Sequence, residues 1–161
     1  AAYDPKGDRD LRVVATEAAM DRMMVEPARF VAQTISAQGV PAYEYRFSYV
    51  AGSMQGEWKT GAPHATEIPY VFDTVKAKYG EATTAKDAAM AKAANAYFAN
   101  FAKTGDPNGT GLPKWPAYSA AADVLMDFGA DGAAQAKPEP WKARMDAVAA
   151  AAEAARAAGG Q

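Results

Sequence analysis

Gly61-Ala62-Pro63-His64-Ala65-Thr66-Glu67-Ile68-Pro69-Tyr70-Val71-Phe72 holds the only histidine in a chain of 161 residues. The imidazole stands in a Gly/Pro loop directly ahead of an aromatic segment. Its unperturbed pKa suits proton transfer near neutral pH better than that of any other side chain here. One imidazole does not hydrolyse an ester or amide by itself, so this stretch raises the question of where its chemical partners lie. The chain has no cysteine, which excludes disulfides, thiolate catalysis and Cys-ligated metals. A single histidine likewise excludes a multi-histidine zinc site within the chain. No cofactor and no metal are expected.

The length suits one domain with a sizeable core. Half of the residues count as hydrophobic, but alanine inflates that figure. The larger apolar side chains cluster between about Leu11 and Phe128, and half of the last twenty residues are alanine. A formal net charge of -2 offers no electrostatic case for nucleic acid. No apolar run approaches the roughly 20 residues that span a bilayer. The chain starts Ala1-Ala2-Tyr3-Asp4-Pro5, without an initiator Met or a signal-peptide pattern. Such a start reads as a trimmed, nicked or partial chain.

Outward from the histidine, Ile68 to Val75 predicts a short helical turn and a buried knot around Tyr70, Val71 and Phe72. Upstream, Ala51 to Pro63 is a loop made flexible by Gly52, Gly56 and Gly61. Before it, Val40 to Val50 alternates Tyr43, Tyr45, Phe47 and Tyr49 with Glu44, Arg46 and Ser48, the period of a strand. The first forty residues predict two helices. One runs from Asp8 to Met24, capped by Asp8 or Asp10, with Leu11, Val14, Ala15 and Ala18 on one face. The other opens at Pro27, buries Phe30, Val31, Thr34 and Ile35, and ends at Gly39. Downstream, Thr84 begins a long helix with a capping-box pattern, Thr84-x-x-Asp87. Its expected apolar face is Ala91, Ala94, Phe98, Phe101 and Ala102, and it stops at Gly105. Asp106-Pro107-Asn108-Gly109 is turn chemistry, and a calcium loop is the weaker explanation of its side chains. Asp123 to Phe128 is a short strand, residues around Pro138 and Pro140 a loop, and the alanine-rich tail a final helix. Helices around a strong strand point to an α/β arrangement.

Four of these segments, in order, resemble the C-terminal part of the type-B carboxylesterase family, the cholinesterase-like branch of the α/β-hydrolases. They are Tyr43-Glu44-Tyr45-Arg46-Phe47, the Gly61–Phe72 stretch, Phe98-Ala99-Asn100-Phe101-Ala102-Lys103-Thr104-Gly105-Asp106-Pro107-Asn108, and Lys114-Trp115-Pro116-Ala117-Tyr118. The resemblance implies an α/β fold: the end of a central sheet with packing helices, the C-terminal portion of an α/β-hydrolase. Residues 1–161 would then form the C-terminal segment of a single domain, with the remainder on another chain or missing. It also implies a Ser-His-Glu triad with His64 as general base and acid. The nucleophile, the oxyanion hole and the orienting glutamate would lie upstream of this chain. No Gly-x-Ser-x-Gly occurs here, and Ser53 has Ala51 and Gln55 where glycines belong.

Glu67, three residues after His64, reads better as a carboxylate bracing the site from behind than as the triad acid. Trp58 or Thr66 would line part of the substrate pocket. Tyr70 and Phe72 read as core, and Trp115, Tyr118 and Trp141 as packing anchors. The function implied is carboxylic ester hydrolysis by a bacterial-type enzyme acting on a small-molecule ester. This chain would contribute the histidine and be inactive alone, its partner being the N-terminal part of the same enzyme. The alternative is a cholinesterase-like binding or adhesion module without catalysis. Export to the periplasm or beyond is what related bacterial enzymes suggest for the compartment.

Overall fold

Helix α1 (Leu11–Met20) begins where the Asp10 carboxylate accepts a hydrogen bond from Arg12 N at 2.7 Å, in a computed structural model that describes residues 2–159. It runs without interruption through a π-turn (Asp21–Val25) into α2 (Glu26–Ala37). The two predicted helices are therefore one helical run. Within the π-turn Glu26 N reaches back to Asp21 O. The shift in register falls directly before Pro27, which has no N–H with which to continue the i→i−4 ladder. The run ends as expected at Gly39, whose φ of 77° suits glycine. Gly39 N donates to Ser36 O at 3.0 Å and Val40 N to Ile35 O at 3.4 Å, a Schellman closure.

These helices belong to the first of two compact units, residues 2–44, 118–123 and 138–159. The expected buried stripes are not covered. Leu11 is 78% exposed, Phe30 49% and Val31 53%, and α1 buries none of its residues. The buried residues of α2 are Arg29 and Ala32. Arg29 pairs with Asp146 (2.6 Å) and Asp123 (3.5 Å). Tyr118 donates to Asp123 at 2.9 Å and accepts from Gln33 at 3.2 Å. Helix α6 (Lys142–Gly159) buries Met145, and its Arg144 binds Asp21 at 2.7 Å while lying over the rings of Tyr3 and Trp141.

The second unit, residues 45–117 and 124–137, carries the histidine loop. Its strand β1 (Tyr45–Phe47) pairs in parallel with β2 (Val124–Phe128), Tyr45 opposite Met126 and Phe47 opposite Phe128. The alternation predicted a strand over Val40–Val50, but a ladder extends only as far as its partner does. β2 is five residues long, and Ser48 N to Phe128 O, at 2.9 Å, closes the pairing. Strand β3 (Ala134–Pro138) lies on the other side of β2, so the sheet order is β1-β2-β3. It replaces the expected loop: Ala-Gln-Ala-Lys-Pro has little β propensity, and the tight turn at Gly129–Gly132 delivers it to β2.

Short helices α3 (Ile68–Val71) and α4 (Val75–Tyr79) follow the histidine loop, and α5 (Ala85–Thr104) follows them. The capping box at Thr84 and Asp87 forms, and Gly105 ends α5 in the left-handed region. The buried stripe of α5 is Asp87, Met90, Ala91, Ala94 and Tyr97, shifted from the predicted face, and Phe101 is 47% exposed. Phe128, fully buried, is ringed by Tyr45, Phe47, Tyr97, Phe98 and Trp115 with centroids 5.8–6.5 Å away. Trp115 and Tyr118 are buried as anchors. The side chain of Asn108 bridges Asp106 to the backbone of Trp115, which is the turn role expected of it.

Candidate active site

The histidine lies on a chain of tight turns. A 3-10 turn at Gly52–Met54 leads to Trp58, whose N–H donates to Met54 O at 2.8 Å. Gly61, at φ 119°, then reverses the chain. Thr66 closes the next turn by donating its hydroxyl to Pro63 O at 2.7 Å. Ala65, the residue after the histidine, holds the left-handed region at φ 65°, uncommon for a side chain without a polar group. Glu67 O accepts from Tyr70 N and Val71 N, and so starts α3. His64 is exposed at the head of this turn. Among the described residues its imidazole has no hydrogen-bond partner, so both ring nitrogens are free to act on something else.

Trp58 is half-buried on the same loop as His64. Thr66 is there too, but its hydroxyl is turned back on Pro63. Glu67 is half-buried, and among the described residues it is hydrogen-bonded neither to His64 nor to another side chain. Burial, and secondly the Glu67 charge, push the Tyr45 hydroxyl up. Tyr70 is buried as expected, whereas Phe72, expected in the core, is 68% exposed. It faces away because α3 is a single turn and its buried position is taken by Tyr70.

Among the described residues of the second unit, Asp87 is the one buried acid, and its sequence motif pointed only to a capping role. Its carboxylate accepts from Tyr49 Oη (2.9 Å), Gly52 N (3.0 Å), Tyr70 Oη (3.3 Å), Thr84 N (2.7 Å) and Thr84 Oγ1 (2.7 Å). Burial alone would raise its pKa, but the donors from Thr84, Gly52 and Tyr49 outweigh burial and hold the carboxyl below its ordinary range. Tyr49 is pushed up to about 12, first by burial and then by Asp87. The Thr84-x-x-Asp87 spacing was the only sequence signal for this node.

Strand β1, the histidine loop and the long helix α5 follow one another in the order of the four sequence segments. The profile of the carboxylesterase family matches residues 3–147. The chain belongs to the carboxylesterase family. Carboxylesterase 5A of Canis lupus familiaris is 34% identical over 111 residues, 65% of this chain and 19% of that protein. Liver carboxylesterase 1 of Oryctolagus cuniculus is 32% identical over 135 residues, 82% of this chain and 23% of that protein. The crystal structure of a Geobacillus stearothermophilus carboxylesterase superposes with a TM-score of 0.68 at 28% identity, covering 89% of this chain and 29% of the other. The chain thus spans about a fifth to under a third of the length of these relatives. Its mixed sheet and helices are a portion of an α/β-hydrolase fold. No helix among the described residues is long and apolar enough to cross a membrane.

Proposed function

We propose that this chain is the C-terminal portion of a bacterial-type serine carboxylesterase and supplies His64 as the general base and acid of a Ser-His-Glu triad. The N-terminal part of the same enzyme provides the nucleophilic serine, the oxyanion hole and the orienting glutamate. The neutral imidazole takes the serine proton as the hydroxyl attacks the ester carbonyl, then returns it to the departing alkoxide. A water attacks the acyl-serine by the same route in reverse order. Trp58 borders the small-molecule ester from the loop that carries His64, and Thr66 and Glu67 keep that loop in shape.

The observation that carries this reading is the exposed, unpartnered imidazole on a braced turn. Two further observations support it. Among the described residues β1 has a neighbour on one side only, whereas parallel strands are ordinarily covered and flanked. Large apolar side chains stand open on each unit, among them Leu11, Met23 and Val31 on the first and Ile68 and Phe72 on the second. Such surfaces are expected where a domain core is divided.

The test is His64→Gln in the complete esterase. Loss of kcat on the order of a millionfold, with the fold intact, is expected for a triad member. Activity retained within tenfold would refute the assignment.

A further inference from the structure

We infer that Asp87 is a positioning residue for catalysis: one buried carboxylate holds both ends of the segment that carries His64. The inference rests on the reading of His64 as the base. The two oxygens divide the work. Oδ2 takes Thr84 N and Thr84 Oγ1, which caps α5. Oδ1 takes no part in that cap. It accepts from Tyr49 Oη and Gly52 N, where the loop departs, and from Tyr70 Oη, where the loop returns.

Between those anchors, among the described residues, the backbone N–H groups of the segment donate within the segment. The N–H groups of Trp58, Gly61, Thr66 and Ile68 and the Thr66 hydroxyl all donate to residues of the loop. A further tie to α5 is Asn95 Nδ2 to Val71 O at 2.8 Å, again on the returning side. The place of the imidazole is therefore set by what grips residues 49–52 and 70–71. Gly52 belongs to the device, since a Cβ there would meet Thr84 Cγ2 at 2.6 Å and push the departing end off the carboxylate.

A capping box does not require an ionised group buried to this depth. Asp87 is fully buried, and among the described residues no cation is paired with it. Donors from three segments compensate its desolvation, so moving any one of them disturbs the others. A displacement of about 1 Å in a catalytic group costs rate out of proportion to stability.

The experiment measures kcat, KM and thermal midpoint for Asp87→Asn, Tyr70→Phe, Tyr97→Phe and His64→Gln in the complete esterase, with active sites counted by fluorophosphonate labelling taken to completion. Tyr70→Phe and Asp87→Asn are expected to lower kcat per labelled site roughly tenfold or more, with KM within about twofold. Tyr97→Phe removes the hydroxyl of an equally buried tyrosine, whose bond goes to Pro113 O at 2.6 Å and not to Asp87 or the loop ends. It is expected to lower the midpoint and leave kcat per site alone. Should Asp87→Asn fail to fold, Tyr70→Phe still decides. A lowered midpoint with kcat per labelled site unchanged in Tyr70→Phe would overturn the inference. An active His64→Gln would instead refute the base assignment, a separate failure.

Discussion

Glu44 and Asp87 respond to pH in opposite directions. The Glu44 carboxyl, ordinarily near 4.5, is pushed up to about 7 by burial and then by the charges of Glu139 and Asp123, with Arg29 opposing them. The folded state therefore binds a proton that the unfolded state releases between these values. The stability this contributes is fully present below 4.5 and is lost as pH rises through about 7. Glu44→Gln is expected to leave the urea midpoint nearly unchanged at pH 5 and to raise stability at pH 8 by about 1–2 kcal/mol, discounted for the group's partial exposure. Asp87 is depressed, so its contribution is present above the ordinary carboxylate value of 3.8 and is lost as pH falls through its lowered value. Ala65 adds a third residue-scale prediction. Its left-handed φ of 65° costs about 1 kcal/mol that glycine would not incur. Ala65→Gly is expected to raise the thermal midpoint, less the entropy gained by the unfolded chain.

Among the elements, β2 and α5 hold the second unit together. Phe128 lies at the centre of five rings, and Phe128→Ala is expected to cost about 3–5 kcal/mol in urea unfolding. Thr84→Ala, which removes the α5 cap, is expected to cost about 1 kcal/mol or somewhat more, because Asp87 also loses a donor. The same contrast explains what could be read from sequence. Caps were legible because they are local: Thr84 with Asp87, Gly39 and Gly105 announce themselves within four residues. His64 stands out as the candidate base because glycine, proline and aromatic residues surround it in one continuous stretch. The length of β1, the existence of β3 and the real face of α5 were not, since each is set by a partner distant in the chain. The exposed stripes of α1 and α2 misled for a related reason, because apolar periodicity states that a face will be covered and not by what. The second role of Asp87 was hidden in the same way. Its loop partners lie 38, 35 and 17 residues away, beyond the reach of any pattern.

On the scale of the molecule, the exposed apolar side chains and the single-sided β1 predict how the chain behaves alone. It is expected to bind a hydrophobic dye such as ANS and to show no esterase turnover. Mixing or co-expression with the N-terminal part of the enzyme is expected to quench the dye signal and bring activity back. The most direct measurement is the distance from the His64 imidazole to the nearest serine hydroxyl in a crystal structure of the complete esterase. The account predicts a serine Oγ within about 3.2 Å of one ring nitrogen, with a glutamate on the other. A His64 ring facing bulk solvent, with the reactive serine paired to a different base, would contradict it.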